Sequence, residues 1–303
     1  MTFLHYESKL PLNPSFKSSL PAEPNAYHVA LVDCISYEST PTVAADRETW
    51  KYALKAPVKK VAVSTLSYVP PNVVECFVLP SLPLVTTGLH LQRMRKELYS
   101  TGRVSFILDK DITSISEAAK RYHADVVVNC SGLGARKLMH DEATHPVRGC
   151  LLTLELPQEV KDKFKDKIFM NDDNPEGLTY ILPREDACFV GGTYLPDEWD
   201  TTVSDEEENI ILSRATRVVP ELKLGKVVRK RAGLRPGRRE IRLERDHSFD
   251  NLPPCGQYAK HTMVFHNYGH GGSGWTVHWG CALSVSKLVT DALSVAHQPK
   301  SKL

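Results

Sequence analysis

Apolar and polar residues alternate loosely through "HVALVDCISY" (residues 28–37), a period of two that predicts a strand. "KKVAVSTLSYV" (59–69) predicts another, closed by Pro70 and Pro71. The period then changes. In "TTGLHLQRMRKELYSTG" (86–102), Leu91, Met94 and Leu98 recur at helical spacing, Thr86 or Thr87 can cap the start, and Gly102 can end the helix. "VSFIL" (104–108) predicts a short strand and "SISEAAKRYH" (114–123) a second helix. In "ADVVVNCSGLGARKL" (124–138) three consecutive valines, 126–128, suit a strand buried on both faces of a parallel sheet, and the helix–strand–helix–strand order up to here argues for a βαβ unit.

The texture changes between Arg148 and Asp246. "GCLLTLEL", "LTYILP", "ACFVGGTYL" and "KVVRKRAGLRP" are short strand-like runs separated by turn residues, as in a meander. "SDEEENIILSRATRVVP" (204–220) interrupts them as a capped helix, with Ser204 at its start, acids in its first turn and Pro220 at its stop. "HTMVFHNYGH" (261–270) predicts a strand, and "TVHWGCALSVSKLVTDALSVA" (276–296) a helix. Between those two lies a loop with Gly269, Gly271, Gly272 and Gly274 in a span of six.

Length and composition narrow the class. The 303 residues suffice for one large domain or two ordinary ones, and 42% hydrophobic with 24% charged residues is ordinary globular composition. A net charge of +2 gives no electrostatic case for nucleic acid, and no run of 18 apolar residues offers a membrane span. Seven dispersed cysteines without a C-x-x-C pair read as reduced, mostly buried thiols in an intracellular protein rather than a disulfide or zinc framework. The opening 26 residues are polar and proline-broken, without the apolar core of a secretory signal. The C-terminal Ser301-Lys302-Leu303 has the form of a peroxisomal address, with the peroxisomal import receptor as its reader.

Candidate chemistry sits in the two glycine loops. A strand, a glycine loop and a helix let backbone N–H groups approach an anion or a flat cofactor edge, because the missing Cβ atoms clear the way. "NCSGLGAR" (129–136) is a second such loop, and the pair suggests one large cofactor touching several strand ends.

The loops, their order and their flanks resemble the D-amino-acid oxidase family, particularly its D-aspartate oxidase branch. The carrying segments are "DVVVNCSGLGARKL", "HPVRG", "GLTYILP", "FVGGTY", "RAGLRPGRREIRLERD" and "HNYGHGGSGWTVHWGCAL", in family order across residues 30–293. The resemblance implies an α/β chain with a Rossmann-like FAD-binding domain, incomplete at its N-terminus, interleaved with a β-rich substrate domain. On that division residues 1–26 are a divergent segment and 27–84 and 148–254 belong to the substrate domain. Residues 85–147 and 255–297 belong to the FAD-binding domain, and 298–303 form a targeting tail. The implied reaction oxidises a D-amino acid to its imino acid, which hydrolyses to an oxo acid and ammonia, while oxygen is reduced to hydrogen peroxide. A peroxisomal matrix location accords with peroxide production.

Carried over residue by residue, the resemblance makes Arg235 the clamp for the substrate α-carboxylate and Tyr180 a hydroxyl partner of the same group. Gly272 supplies a carbonyl for the substrate amine. Gly271, Gly274, Trp275 and Thr276 line the flavin ring, Ser131 and Gly132 belong to the second cofactor loop, and Ile112 touches the adenine side. His270 and His278 read as structural, since hydride transfer in this family needs orientation rather than a side-chain base. Three departures stand out. Tyr194 replaces the arginine that follows "GGT" in D-aspartate oxidases, leaving Arg184 or Arg231 to meet a side-chain carboxylate. Glu176 stands where neutral-substrate members carry a tyrosine, and an acid there either attracts basic substrates or faces solvent. No G-x-G-x-x-G precedes the first family segment, so the chain is expected to start after the first βαβ unit. D-aspartate and D-glutamate are the favoured substrates. A family member that binds no FAD, and an oxidase of neutral or basic D-amino acids, remain alternatives.

Overall fold

The structure, a computed structural model, describes residues 27–41, 58–108, 112–257 and 261–296. The strands in chain order are β1 (Val29–Glu38), β2 (Lys59–Val61), β3 (Glu75–Val85), β4 (Val126–Asn129), β5 (His145–Glu155), β6 (Lys167–Asn171), β7 (Thr179–Pro183), β8 (Cys188–Gly191), β9 (Leu195–Pro196), β10 (Lys226–Gly237), β11 (Arg242–Arg245) and β12 (Met263–Tyr268). The helices are α1 (Thr87–Ser100), α2 (Ile115–Arg121), α3 (Ala135–Leu138), α4 (Gln158–Lys161), α5 (Asp205–Val218) and α6 (Gly274–Ala296).

Nine strands form a mixed sheet in the order β10-β5-β8-β7-β6-β1-β3-β2, with β9 also on β5. Its pairs are antiparallel except β1 with β6. Register decides which residues can become a site. Phe169, Ile181, Val190 and Leu152 stand in one cross-strand row, each at most 1% exposed. Against this face packs α5 through Ile211, Ala215 and Val218. Each large apolar side chain so buried contributes about 1.5–3 kcal/mol, so a slip of one residue is strongly disfavoured. One residue over, the row Tyr180, Gly191, Leu151 and Arg231 faces the other side.

The capping expected for α5 is present: Ser204 Oγ accepts from Glu207 N at 3.1 Å, and Glu207 Oε2 accepts from Ser204 N at 3.0 Å. Glu207 also holds Arg148 of β5, whose Nη1 donates at 2.6 Å and whose side chain is 4% exposed. That bond pulls the Glu207 carboxyl down to about 2, so the pair is ionised at neutral pH and ties α5 to the sheet.

The second sheet has the order β11-β12-β4, with β12 antiparallel to β11 and parallel to β4. Here several expectations are corrected. The strand expected over 59–69 stops at Val61 and gives way to a 3-10 turn, Val63–Thr65. The strand expected over 104–108 does not form: Phe106, Ile107 and Leu108 are 43, 64 and 89% exposed, with no ladder partner among the described residues. The βαβ unit expected there is therefore reduced to α2 leading into β4. Val128 is 40% exposed, because β4 is an edge strand among the described residues rather than one covered on both faces. In α1 the expected apolar face is turned outward, with Leu91 and Leu98 at 54 and 44%. The buried side chain is instead His90, which meets the carbonyl of Tyr27 at 2.7 Å and the ring of Trp275 edge-on. No described helix is long and apolar enough to cross a membrane.

Candidate active site

Four segments converge on Arg235. It lies near the end of β10, opposite Val147 of β5, and its Nη1 donates to the carbonyl of Thr193 at 3.2 Å. Thr193 is itself fixed, its hydroxyl accepting from Cys150 N at 2.9 Å. The guanidinium occupies the space a Cβ on Gly149 would need, so the absence of a side chain there seats Arg235. Gly191 and Gly192 do the same for the Tyr180 ring. Burial raises the Tyr180 hydroxyl above the usual tyrosine range against the pull of Arg235 and Arg184, so it stays protonated.

Both glycine loops reach this point. A Cβ on Gly272 would lie 3.6 Å from Arg235 Cδ, and one on Gly132 would lie 3.6 Å from Pro236. Gly132 (φ 57°) and Gly271 (φ 53°) adopt left-handed backbone, and the space above Gly271 is open. Gly271–Ser273 forms a 3-10 turn running directly into the 23-residue α6. A bare, open backbone at a helix start fits the edge of a flavin ring. Of the other residues assigned to cofactor, Trp275 and Thr276 are exposed in the first turn of α6, and Ser131 precedes the Gly132–Gly134 turn. Ile112 is half-buried ahead of α2. Ser301, Lys302 and Leu303 lie outside the described residues.

Beside Arg235 is a cavity of about 290 Å³ lined by Tyr180, Arg231, Arg235, Gly149, Gly233 and Leu151 among others. Two guanidinium groups and a phenol line it, and among the described residues no carboxylate does. Arg184 stands close by, over the Phe189 ring at 4.7 Å, with one bond to Thr87 Oγ1 at 3.3 Å and its Nε unpartnered. Burial lowers its basicity despite the opposing charge of Asp186, with Arg231 adding to the lowering. An unneutralised cationic cavity is suited to an anion. Tyr194 is 62% exposed and plays no visible part, and Glu176 is bound by both arms of Arg217 at the surface. His270 and His278 are held by Asn267 Oδ1 at 3.0 Å and the Trp275 carbonyl at 2.5 Å, and burial keeps both below the usual histidine range.

The family model described as FAD dependent oxidoreductase (DAO) matches residues 36–288. The chain belongs to this family. Among similar proteins, the D-amino-acid oxidase of Rubrobacter xylanophilus is 40% identical over 188 residues, 61% of this chain and 51% of that one. The D-aspartate oxidase of Homo sapiens is 36% identical over 178 residues, 59% of this chain and 48% of the relative. The chain thus spans about half the length of these curated relatives. A glycine oxidase structure from Geobacillus kaustophilus superposes with a TM-score of 0.68 at 17% identity, covering 89% of this chain and 73% of that one, which shows the shared fold.

The structure also exposes what sequence reasoning missed. Gly149 and Gly191 shape the site as much as Arg235 and Tyr180 do, yet single glycines in strands carry no signal without the register. Gly269, Gly271 and Gly274 stand at the G-x-G-x-x-G spacing between β12 and α6, a signal that was readable.

Proposed function

We propose that the protein carrying this chain oxidises a D-amino acid at an FAD-dependent site. The products are a 2-oxo acid, ammonia and, from oxygen, hydrogen peroxide. The observation that carries the reading is the pairing of Arg235 and Tyr180 on one cationic cavity, with the two glycine loops reaching Arg235 and Pro236 beside it. FAD, when bound, supplies the ring that takes the hydride from the substrate Cα. The chain's own residues bind and orient. Arg235 and the Tyr180 hydroxyl receive the α-carboxylate, and the Gly272 carbonyl accepts from the substrate amine. Gly271, Gly274, Trp275 and Thr276 support the ring, with Ser131, Gly132 and Ile112 further along the cofactor. A charge-assisted bond to Arg235 is worth about 1.5–3 kcal/mol.

The interleaved division of the chain, with 27–84 and 148–254 as substrate domain and 85–147 and 255–297 as FAD-binding domain, is part of this proposal. So is a preference for D-aspartate and D-glutamate, supported by Arg231 lining the cavity and by Arg184 buried close to Tyr180 and Arg231. A basic substrate is disfavoured, because Glu176 is already neutralised by Arg217. The Ser301-Lys302-Leu303 end supports import into the peroxisome through its receptor. Replacing Arg235 with alanine tests the core of the reading: turnover of D-aspartate is expected to collapse while FAD stays bound. Unchanged turnover would remove the clamp assignment.

A further inference from the structure

A line of buried polar groups runs from the second sheet to the Ser131 loop, and the chemistry above does not use it. His266 of β12 is fully buried, between Asn129 of β4 and Glu244 of β11 in the sheet register. Its Nε2 lies 3.0 Å from Asp246 Oδ2, and its Nδ1 lies 3.3 Å from Asn129 Nδ2. On its other end Asn129 Oδ1 accepts from Ser131 N at 3.1 Å.

Donor and acceptor logic fixes every proton in this line. The Ser131 N–H can only donate, so the amide oxygen of Asn129 faces it and the NH₂ group faces His266. His266 Nδ1 must then accept, which leaves the ring proton on Nε2, directed at Asp246. Ser131 opens the Gly132–Gly134 turn, which packs on Pro236, the residue after Arg235. The line therefore ends one residue from the clamp.

We propose that Asp246, His266 and Asn129 are positioning residues: together they hold the Ser131–Gly134 loop against Pro236 while His266 is neutral, and protonation of His266 releases that loop. A proton taken from solvent onto Nδ1 would meet the Asn129 NH₂ group, donor against donor. Turning the amide over relieves that contact but presents the NH₂ to the Ser131 N–H instead. Relief of the clash at His266 therefore requires loss of the bond to Ser131.

The groups facing His266 favour the neutral state. Asp246 attracts a proton to the ring, but its Oδ2 is shared with Arg242 Nη2 at 2.9 Å. Arg242 itself opposes the imidazolium, while Glu244 across the register favours it, and the Tyr268 ring stands edge-on at 5.6 Å. Burial outweighs the rest and holds the imidazole below the usual histidine range. Neutral His266, and with it a seated loop, is the state at pH 7.

Ser131 and Gly132 are assigned above to the cofactor, so any effect of loop release on flavin binding rests on that reading; the relay itself does not. The test uses the full chain without flavin. Nitrogen-15 NMR of the histidines and amide hydrogen exchange of the peptide spanning 130–136 are followed from pH 7.5 to 5, with exchange corrected for its intrinsic pH dependence. An imidazole protonated on Nε2 alone at pH 7.5 is expected. Protection at Ser131 should then fall about tenfold or more in step with the His266 titration. In His266→Gln, which cannot become a cation, that step disappears. Should the variant fail to fold, the native chain still decides. A proton on Nδ1 at pH 7.5, or a charged His266 with Ser131 protection intact, overturns the relay. Neither readout needs FAD, so a chain that binds no flavin would count against the proposed function alone.

Discussion

Gly149 offers a way to move Arg235 without touching it. An alanine there places a methyl group in the volume of the guanidinium, whose nearest atoms are the flexible end of a side chain rather than backbone. Gly149 is not among the positive-φ residues and sits in regular pairing with Gly233, so the backbone accepts the change. Fold stability should fall little, by about 1 kcal/mol or less. The site pays instead, since Arg235 must leave Thr193 and Tyr180 together. Each charge-assisted bond lost to a substrate carboxylate costs about 1.5–3 kcal/mol, which is roughly ten- to 150-fold. The assay is kcat/KM for D-aspartate on the flavin-loaded protein, alongside thermal unfolding of wild type and Gly149→Ala. A loss of tenfold or more in kcat/KM with an unfolding temperature lowered by only a few degrees is the expected pair. Full activity in the variant would refute the seating argument, and so would a loss explained by global unfolding.

Other consequences are as direct. Glu207→Gln should weaken the junction of β5 and α5. A carboxyl drawn from 4.5 to about 2 is worth about 3 kcal/mol in a dry site and roughly 2 kcal/mol here, where 27% of the side chain meets solvent. Because the folded value is the depressed one, this stability is complete above pH 4.5 and drains away as pH falls toward 2; denaturant titrations of wild type and variant should converge over that window. Arg231→Ala should raise KM for D-aspartate about tenfold or more while leaving D-alanine nearly unaffected, as loss of one charge-assisted contact requires; equal effects on both would dismiss Arg231 as a side-chain reader. Deleting Ser301-Lys302-Leu303 should shift a fluorescent fusion from peroxisomes to the cytosol, and an unchanged pattern would dismiss the tail as an address.

Much of this architecture was legible from residue patterns, for local reasons. Ser204 and the acids after it announce α5, because capping is a local interaction. The run before the glycines gives β12, and the glycines mark the turn into α6. The failures are non-local. Leu91 and Leu98 have helical spacing, yet spacing does not say what lies opposite, and the described structure leaves them about half exposed. Phe106 to Leu108 have strand-forming side chains without a neighbouring ladder to join. At the site, family resemblance supplied Arg235 and Tyr180. Gly149 and Gly191 became visible only through the pairing that brings them under those side chains. His266 illustrates the same limit: one histidine in an apolar strand carries no message until Asn129 and Asp246 are found on either side of it.

The most direct test of the account is a flavin titration of the chain followed by addition of D-aspartate without oxygen. Binding should perturb the visible absorbance of FAD, and the anaerobic substrate should then bleach it as the ring is reduced, with colour returning when oxygen is admitted. No binding at a large excess of FAD, or a bound flavin that D-aspartate, D-glutamate and D-alanine all leave oxidised, would contradict it.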